Sequence, residues 1–430
     1  MSEQPLAEIT KAVEAGRLQE AVAALAEYLQ AEPGDPNAWF LQSRASLAQG
    51  KPEAAWQAAR QALAIAPDSP NLRYAVGNLG LRLARYPEAL DILDKLPRPL
   101  SPDQQYRLAQ ACWGAGQYKQ SLEHFEYAAD NAPQVHEISI ALARAYVALG
   151  RDEHAIWVLE RLPLGDQAEL LAAIYRFDHD DLAGSAERIR GAGKEGDPLR
   201  QTALAGIALL QGDDAGAEAL IRDLPDGGGW PARVESMRYA RDHGPDARWF
   251  TTPVPMLETG LAAQAEDGLI LEFGVQYGRS LNQIAVRSQG TVHGFDSFQG
   301  LPDSEGVFRA GSQAAPGGPT HLANNARLYT GLFQQTLPAF LAETDGLLSF
   351  VHMDCALASS TEQVLELLKP RMQSGTVLLF GDYLAYPGWQ DGQYRAWQRF
   401  ADAAGIRYEY LGFSPITETR ALLRITGISA

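Results

Sequence analysis

The sequence predicts two architectures in one chain: an all-α array of helix pairs, followed by an α/β domain on a mostly parallel sheet with an antiparallel last strand. Three observations carry this. Glycines, small residues and prolines recur at a period near 34 residues through the first half. From about residue 257, short apolar runs alternate with amphipathic stretches, as strands alternate with helices. Between the two regions, residues 226–230 (DGGGW) and the pair Pro253 and Pro255 break both patterns. The expected division is therefore 1–225 for the array, 226–254 for a linker and 255–430 for the sheet domain.

Gly16, Gly50, Gly116 and Gly150 set the phase of the array, with 34 residues separating the first two and the last two. Five residues after each stands a small side chain: Ala21, Ala55, Ser121, Ala155. Pro33, Pro67 and Pro133 follow their glycines by 17. Residues 84–89 (ARYPEA) fill the same place in another copy, Gly212 with Ala217 opens a later one, and residues 165–190 fit poorly. Glycine turns the chain between antiparallel helices, small residues let those helices touch, and proline ends the second helix. One pair cannot bury its apolar face alone, so pairs stack. Trp39, Trp56, Trp113 and Trp157 fall at core phases and are expected to pack. The pattern resembles the tetratricopeptide repeat: Trp39, Ala55, Ala62 and Pro67 match in one copy, and Tyr118, Ser121, Phe125, Ala128 and Pro133 in another. Over residues 2–225 the resemblance implies a groove for a protein, peptide or carrier, or self-association into a homo-oligomer. A spacer arm is the competing use.

In the second half, strands are expected at 268–273, 291–295, 347–353, 375–381, 406–412 and 420–426. Helices are expected at 257–265, 279–287, 334–343, 360–369 and 392–404. The last two strands are close enough in sequence for a hairpin, which makes the final strand antiparallel. Residues 268–300 read as strand, glycine turn, helix and strand, a parallel crossover unit whose ligands sit at the carboxyl ends of the strands. Glu272 and Asp296 end the two strands 24 residues apart. An acid in the place of Asp296 can accept hydrogen bonds from ribose hydroxyls. The turn at 274–278 lacks the three-glycine spacing of nicotinamide and flavin sites, and no phosphate-binding lysine motif is present. A nucleoside without phosphates, such as S-adenosylmethionine, fits this combination.

The formal net charge of −17 argues against non-specific binding to nucleic acid or to an anionic membrane. Cys112 and Cys355 lie in different expected domains, so neither a disulfide framework nor a cysteine zinc site follows. No basic-then-apolar leader and no apolar run of spanning length appear, which makes a cytoplasmic location the expectation.

Five segments, LEFGVQYGRS, GFDSFQGLPD, GLFQQTLPAFL, VHMDCALASS and DYLAYPGWQ, occur in this order over residues 255–427. Together they resemble the macrocin-O-methyltransferase-like family of class I S-adenosylmethionine-dependent methyltransferases, with a Rossmann-like fold. The resemblance implies that Glu272, Gly274 and Gly278 line the methionine and ribose end of the cofactor. It implies Asp296 on the ribose hydroxyls, Ser297 and Phe298 beside the adenine, and Gly331 with Leu332 closing over the base. Members that methylate sugar hydroxyls hold a divalent ion in an acidic cluster, which lowers the hydroxyl pKa. This chain departs from that pattern, with Ala356, Ala358 and Gly381 where two acids and a tyrosine are expected. Asp354 and Asp382 remain as ligands, so the expected Mg²⁺ site is weak or empty. The candidates for proton transfer are Asp354, Asp382, Tyr383 and His352. His352 is expected in the core, and Asp354 is placed best because it ends a strand at the ligand-facing rim. Residues 301–325 are expected to form a lid or a disordered insertion, and the aromatics of 383–394 to shape an acceptor pocket.

The expected function is an S-adenosylmethionine-dependent O-methyltransferase for a sugar-bearing or secondary-metabolite acceptor, free or displayed on a carrier gripped by the repeats. Two other uses compete: a non-catalytic cofactor-binding scaffold, and a peptide or protein methyltransferase docked through the array.

Overall fold

The structure, a computed structural model, describes residues 4–162 and 166–429. Residues 2 and 3 of the expected array, residue 165 of the poorly fitting stretch and Ala430 lie outside the described residues. The chain forms two compact units, Met1–Ile138 and Ser139–Ala430.

The first unit is built from helices α1 (Gln4–Glu14), α2 (Leu18–Ala31), α3 (Pro36–Ala48), α4 (Pro52–Ile65), α5 (Pro70–Arg82), α6 (Tyr86–Leu93), α7 (Pro102–Gly114) and α8 (Tyr118–Asn131). Starts recur in one chemical form. Asp35, Ser69 and Ser101 cap the N-termini of α3, α5 and α7 through their side-chain oxygens, and a proline follows each. Proline at the first helical position loses no hydrogen bond and presets φ. Ala21, Ala55 and Ser121 are fully buried where helices meet, as the phase of small residues requires. Leu25, Trp56 and Leu108 fill successive layers between pairs.

Helix α9 (His136–Ala148) begins at the boundary, and the second unit continues with α10 (Asp152–Glu160), α11 (Asp166–Tyr175), α12 (Leu182–Arg190), α13 (Pro198–Leu210), α14 (Asp214–Ile221) and α15 (Trp230–His243). The stretch that fits the repeat poorly therefore still forms a helix pair. Trp157 departs from the core expectation: it is 57% exposed, with the Arg161 guanidinium 4.3 Å from its ring.

An eight-stranded sheet follows, in the order β1-β7-β8-β6-β5-β2-β3-β4. Its strands are β1 (Arg248–Trp249), β2 (Leu269–Phe273), β3 (Val292–Asp296), β4 (Ala326–Thr330), β5 (Leu348–Met353), β6 (Val377–Phe380), β7 (Ile406–Phe413) and β8 (Ala421–Ile428). All pairings are parallel except those of β8 with β6 and β7, as the hairpin argument anticipates. Helices α16 (Pro253–Ala263) and α17 (Arg279–Ala285) pack on one face, and α18 (Phe333–Glu343), α19 (Ala358–Leu368) and α20 (Gln393–Ala404) on the other. Two strands were not anticipated. β4 is an edge strand with mixed polar sequence ARLYT, and β1 has only two residues, so neither carries a readable apolar run.

The stretch expected as linker is structured. Gly229, at φ +78°, starts α15, and the Arg233 guanidinium donates to the carbonyls of Pro415, Ile416 and Glu418. Trp249 and Met237 share a buried core with sheet residues Phe380 and Phe413. The glycines of 226–230 set a turn into α15.

Candidate active site

Five turns at the carboxyl ends of β2, β3, β4, β5 and β6 bring the chemistry-bearing residues to one rim of the sheet, where ligands of such folds bind. Parallel pairing aligns them. Gly274 N–H donates to Phe295 O across β2 and β3, Gly331 N–H to Asp296 O, Asp354 N–H to Phe273 O, and Gly381 N–H to Met353 O.

Four of these ends open on a cavity of about 260 Å³. Gly274, Asp296, Ser297, Gly331 and Asp354 line it, together with Leu332, Asp303 and Gln363. Its lining includes three carboxylates and neither lysine nor arginine. Such a wall favours a cationic ligand and opposes a pyrophosphate.

Asp296 organises the turn. Its Oδ2 accepts from the backbone N–H groups of Val275 (2.8 Å) and Gln276 (2.7 Å), and its Oδ1 from that of Phe298 (2.7 Å). Three of the roughly four acceptor positions of a carboxylate are thus filled, which leaves one for a ligand hydroxyl. Gly274 is required by close approach. At φ +91°, a Cβ there would fall inside contact distance of the Asp354 carbonyl.

The 301–325 segment is ordered over the cavity. Glu305 Oε2 accepts from Ala358 N–H at the start of α19 (2.8 Å), and Phe308 packs edge-on against Tyr386. Gln276 Nε2 donates to Gln313 Oε1 (3.1 Å). Glu305, Gln313 and Gln276 escaped sequence reasoning. No spacing ties a loop glutamine to a turn 37 residues away.

Several expected site residues lie away from the cavity. Glu272 is fully buried, and its Oε1 meets His352 Nδ1 at 2.8 Å across paired positions of β2 and β5. Burial raises the Glu272 pKa, opposed by the hydrogen bond to His352. Gly278 caps α17 and packs on Pro319 and Leu322. The Phe298 ring covers Gly318. Tyr383 needs correction as a catalytic candidate. It is fully buried, with its hydroxyl bonded to that of Tyr410 (2.7 Å) and to Gln398 Nε2 (3.1 Å), and burial raises its pKa. His352 is buried as expected.

Asp354 reaches the cavity, whereas Asp382 stands outside its lining. Asp382 N–H donates to Gln393 Oε1 (3.0 Å). Burial, then the charge of Asp354, pushes the Asp382 carboxyl up to about 7, the range suited to taking a proton near neutrality. Gly381 lies between them in a telling way: a Cβ there would collide with Asp354 Oδ1. That position is closed to any side chain unless Asp354 moves. Among the described residues, no group of three or more His, Cys, Asp or Glu side chains is placed to hold a metal ion. The residues present do not fit a three-carboxylate ion site.

Residues 271–383 match a family described as methyltransferase domain. The C-terminal half carries a methyltransferase domain. Residues 113–175 match a tetratricopeptide repeat family, and 14–96 a family described as anaphase-promoting complex, cyclosome, subunit 3. Tetratricopeptide-like repeats thus precede the methyltransferase domain in one chain. No curated protein matches. Similar solved structures include MamA (residues 41 to the end) from Desulfovibrio magneticus RS-1, at 20% identity and TM-score 0.35, over 37% of this chain and 92% of that one. The calicheamicin methyltransferase CalS11 is similar at 22% identity and TM-score 0.32, over 55% of this chain and 96% of that one. Among the described residues no helix is long and apolar enough to cross a membrane.

Proposed function

We propose that the chain is an S-adenosylmethionine-dependent O-methyltransferase for a sugar-bearing or secondary-metabolite acceptor, with the repeats holding a protein partner, a carrier or a second copy. One observation supports this most: the cavity at the strand ends has an acidic lining without basic side chains. S-Adenosylmethionine carries a positively charged sulfonium and no phosphate, so it suits that wall where a dinucleotide does not. When bound, it supplies an electrophilic methyl group.

The remaining work belongs to this chain. Asp296 holds the turn and keeps one acceptor position for a ribose hydroxyl. Gly274, Ser297, Gly331 and Leu332 form the walls, with Glu305 and Gln313 fastening the loop that excludes water. Asp354 faces the reacting end, and the acceptor hydroxyl would give its proton to the Asp354–Asp382 pair. Glu272 and His352 support the floor from inside the sheet. No step needs an ion.

Calorimetry on the full chain tests the reading. S-Adenosylmethionine should bind saturably, and Asp296→Ala should weaken it by about 100-fold, since hydrogen bonds to charged groups contribute about 1.5–3 kcal/mol each. Absence of binding at millimolar cofactor would sink the proposal. One observation favours a second reading, a cofactor-binding scaffold without turnover: the closed position at Gly381. Binding without methyl transfer to any acceptor in a broad screen would select it.

A further inference from the structure

The chain has a formal net charge of −17, yet one cavity of its second unit gathers four arginines. This cavity, of about 380 Å³, is lined by Arg144 of α9, Arg233 of α15, Arg279 at the start of α17 and Arg420 just before β8. Glu418 is its one carboxylate, and Trp230 forms part of the wall. It shares no lining residue with the acidic cavity.

The four guanidiniums are not equally occupied. Arg233 is committed to the three backbone carbonyls already named. Arg420, 14% exposed, has Nε 3.5 Å from Glu418 Oε2. Arg144 interacts with the Tyr175 hydroxyl. Arg279 has no ion pair or hydrogen bond among the described residues, although it faces this cavity. Arginine stays charged at any physiological pH and offers five donors. Within the lining four such cations face one carboxylate, while Asp382 attracts Arg420 and Asp152 acts on Tyr175 from outside it, so the excess of positive charge is partly offset and falls chiefly on Arg279. A bound anion would relieve that excess.

A second, independent observation points the same way. A smaller recess of about 30 Å³ shares Ala148, Pro253, Arg279 and Arg420 with the large cavity, and His352 lines it. His352 is 1% exposed, and its Nε2 has no partner. Its Nδ1 meets Glu272 Oε1 at 2.8 Å, so an unpartnered buried ring nitrogen lines a recess that holds about one water or one ligand oxygen.

We propose that this cavity binds an anionic group, phosphate or carboxylate, carried by a small molecule. Arg144, Arg279 and Arg420 supply charge-assisted hydrogen bonds, the buried His352 Nε2 offers a further polar contact at the recess, and Trp230 gives the rest of the ligand an apolar wall. The site stands independently of the methyl-transfer reading.

The test is calorimetric titration of the full chain with inorganic phosphate and, separately, with succinate, at constant ionic strength set by sodium chloride. One or both should bind saturably, and the tighter probe identifies the class of anion. Arg279→Gln and Arg144→Gln should each weaken binding by about tenfold or more. Without anion, Arg279→Gln should melt no lower than the parent, because it removes repulsion and breaks no internal bond. If that variant fails to fold, Arg144→Gln alone decides through its loss of binding. Absence of a saturable response to both probes at millimolar concentration overturns the proposal. So does an undiminished response in the Arg144→Gln, Arg279→Gln double variant. Binding of S-adenosylmethionine should be unchanged in both single variants, which separates this outcome from that of the proposed function.

Discussion

Gly50 in the repeat unit and Gly381 at the rim of the sheet are glycines for opposite reasons. Gly50 has φ +71° and nothing within 4 Å of where a Cβ would stand. Its neighbourhood is empty, and only the backbone angle demands glycine. At Gly381 no left-handed angle is involved, and a Cβ would strike the Asp354 carboxylate. The first residue serves a turn, and the second makes room for a functional group. Substitution at Gly50 should therefore be felt in stability, and substitution at Gly381 in chemistry.

Gly274 joins both reasons and should show the largest effect. It has φ +91°, and a Cβ there meets the Asp354 backbone carbonyl, which cannot rotate away as a side chain can. Gly274→Ala should cost about 3 kcal/mol or more in urea unfolding, as strained backbone and overpacking add. Cofactor binding should vanish with it, because the turn and the strand-end carbonyl must separate. A variant that kept both stability and binding would show that close approach is not what selects glycine at this rim.

Gly381→Ala should be next. The obstacle is a side-chain oxygen, so Asp354 can swing aside at small cost in stability. The displaced carboxylate no longer faces the cavity. With an acceptor in hand, kcat should fall by about 100-fold, the usual scale for a lost proton acceptor. S-Adenosylmethionine affinity should change little. An unchanged kcat would remove Asp354 from the proposed pair.

Asp382 sharpens the contrast between structural and chemical roles within the same turn. Its carboxyl is raised to about 7, mainly by burial. In the window from about pH 4 to 7 the folded state keeps a proton that the unfolded chain releases, so stability falls as pH rises through it. Above pH 7 the loss is complete. Asp382→Asn removes that titration and should be more stable than the parent at pH 8 by about 2 kcal/mol, after discounting for partial exposure, with no difference at pH 4. Activity should move the other way: the parent's rate should climb through pH 7 as Asp382 becomes able to take a proton. Parallel unfolding curves at pH 4 and pH 8 would show that the carboxyl is not destabilised by burial.

These effects explain which parts of the molecule the sequence announces. Repeats write the same local requirement several times, so Gly16, Gly50, Gly116 and Gly150 appear as a period before any contact is known. Parallel strands announce themselves through continuous apolar runs such as residues 269–273 and 348–353. The cavity is announced only in part. Gly274, Asp296 and Asp354 end strands, and that position alone identifies them as rim residues. Position in a motif did not tell which way a side chain points. Glu272 stands two residues before Gly274 at the end of β2, and Tyr383 two residues after Gly381 beyond the end of β6, yet both are fully buried, turned inward by strand alternation and by the start of the following segment. The contacts of Glu305 and Gln313, and the convergence of Arg144, Arg233, Arg279 and Arg420, depend on distant segments meeting. No local pattern encodes them.

The smallest effect should come from Gly50→Ala. A left-handed residue with a Cβ costs about 1 kcal/mol, and no neighbour adds to it. Asparagine tolerates that conformation better, so Gly50→Asn should cost less than alanine, which separates an angle requirement from a space requirement. At Gly381 the order should reverse, with asparagine worse than alanine because it is larger. Cofactor binding in both Gly50 variants should match the parent. The ranking is read by chemical denaturation, and binding by the same calorimetry used for the rim. If Gly50→Asn proved as costly as Gly50→Ala, the space around the repeat turn would be filled by something other than solvent, such as a partner or another copy of the chain. The difference between the two glycines would then be one of occupant rather than of kind.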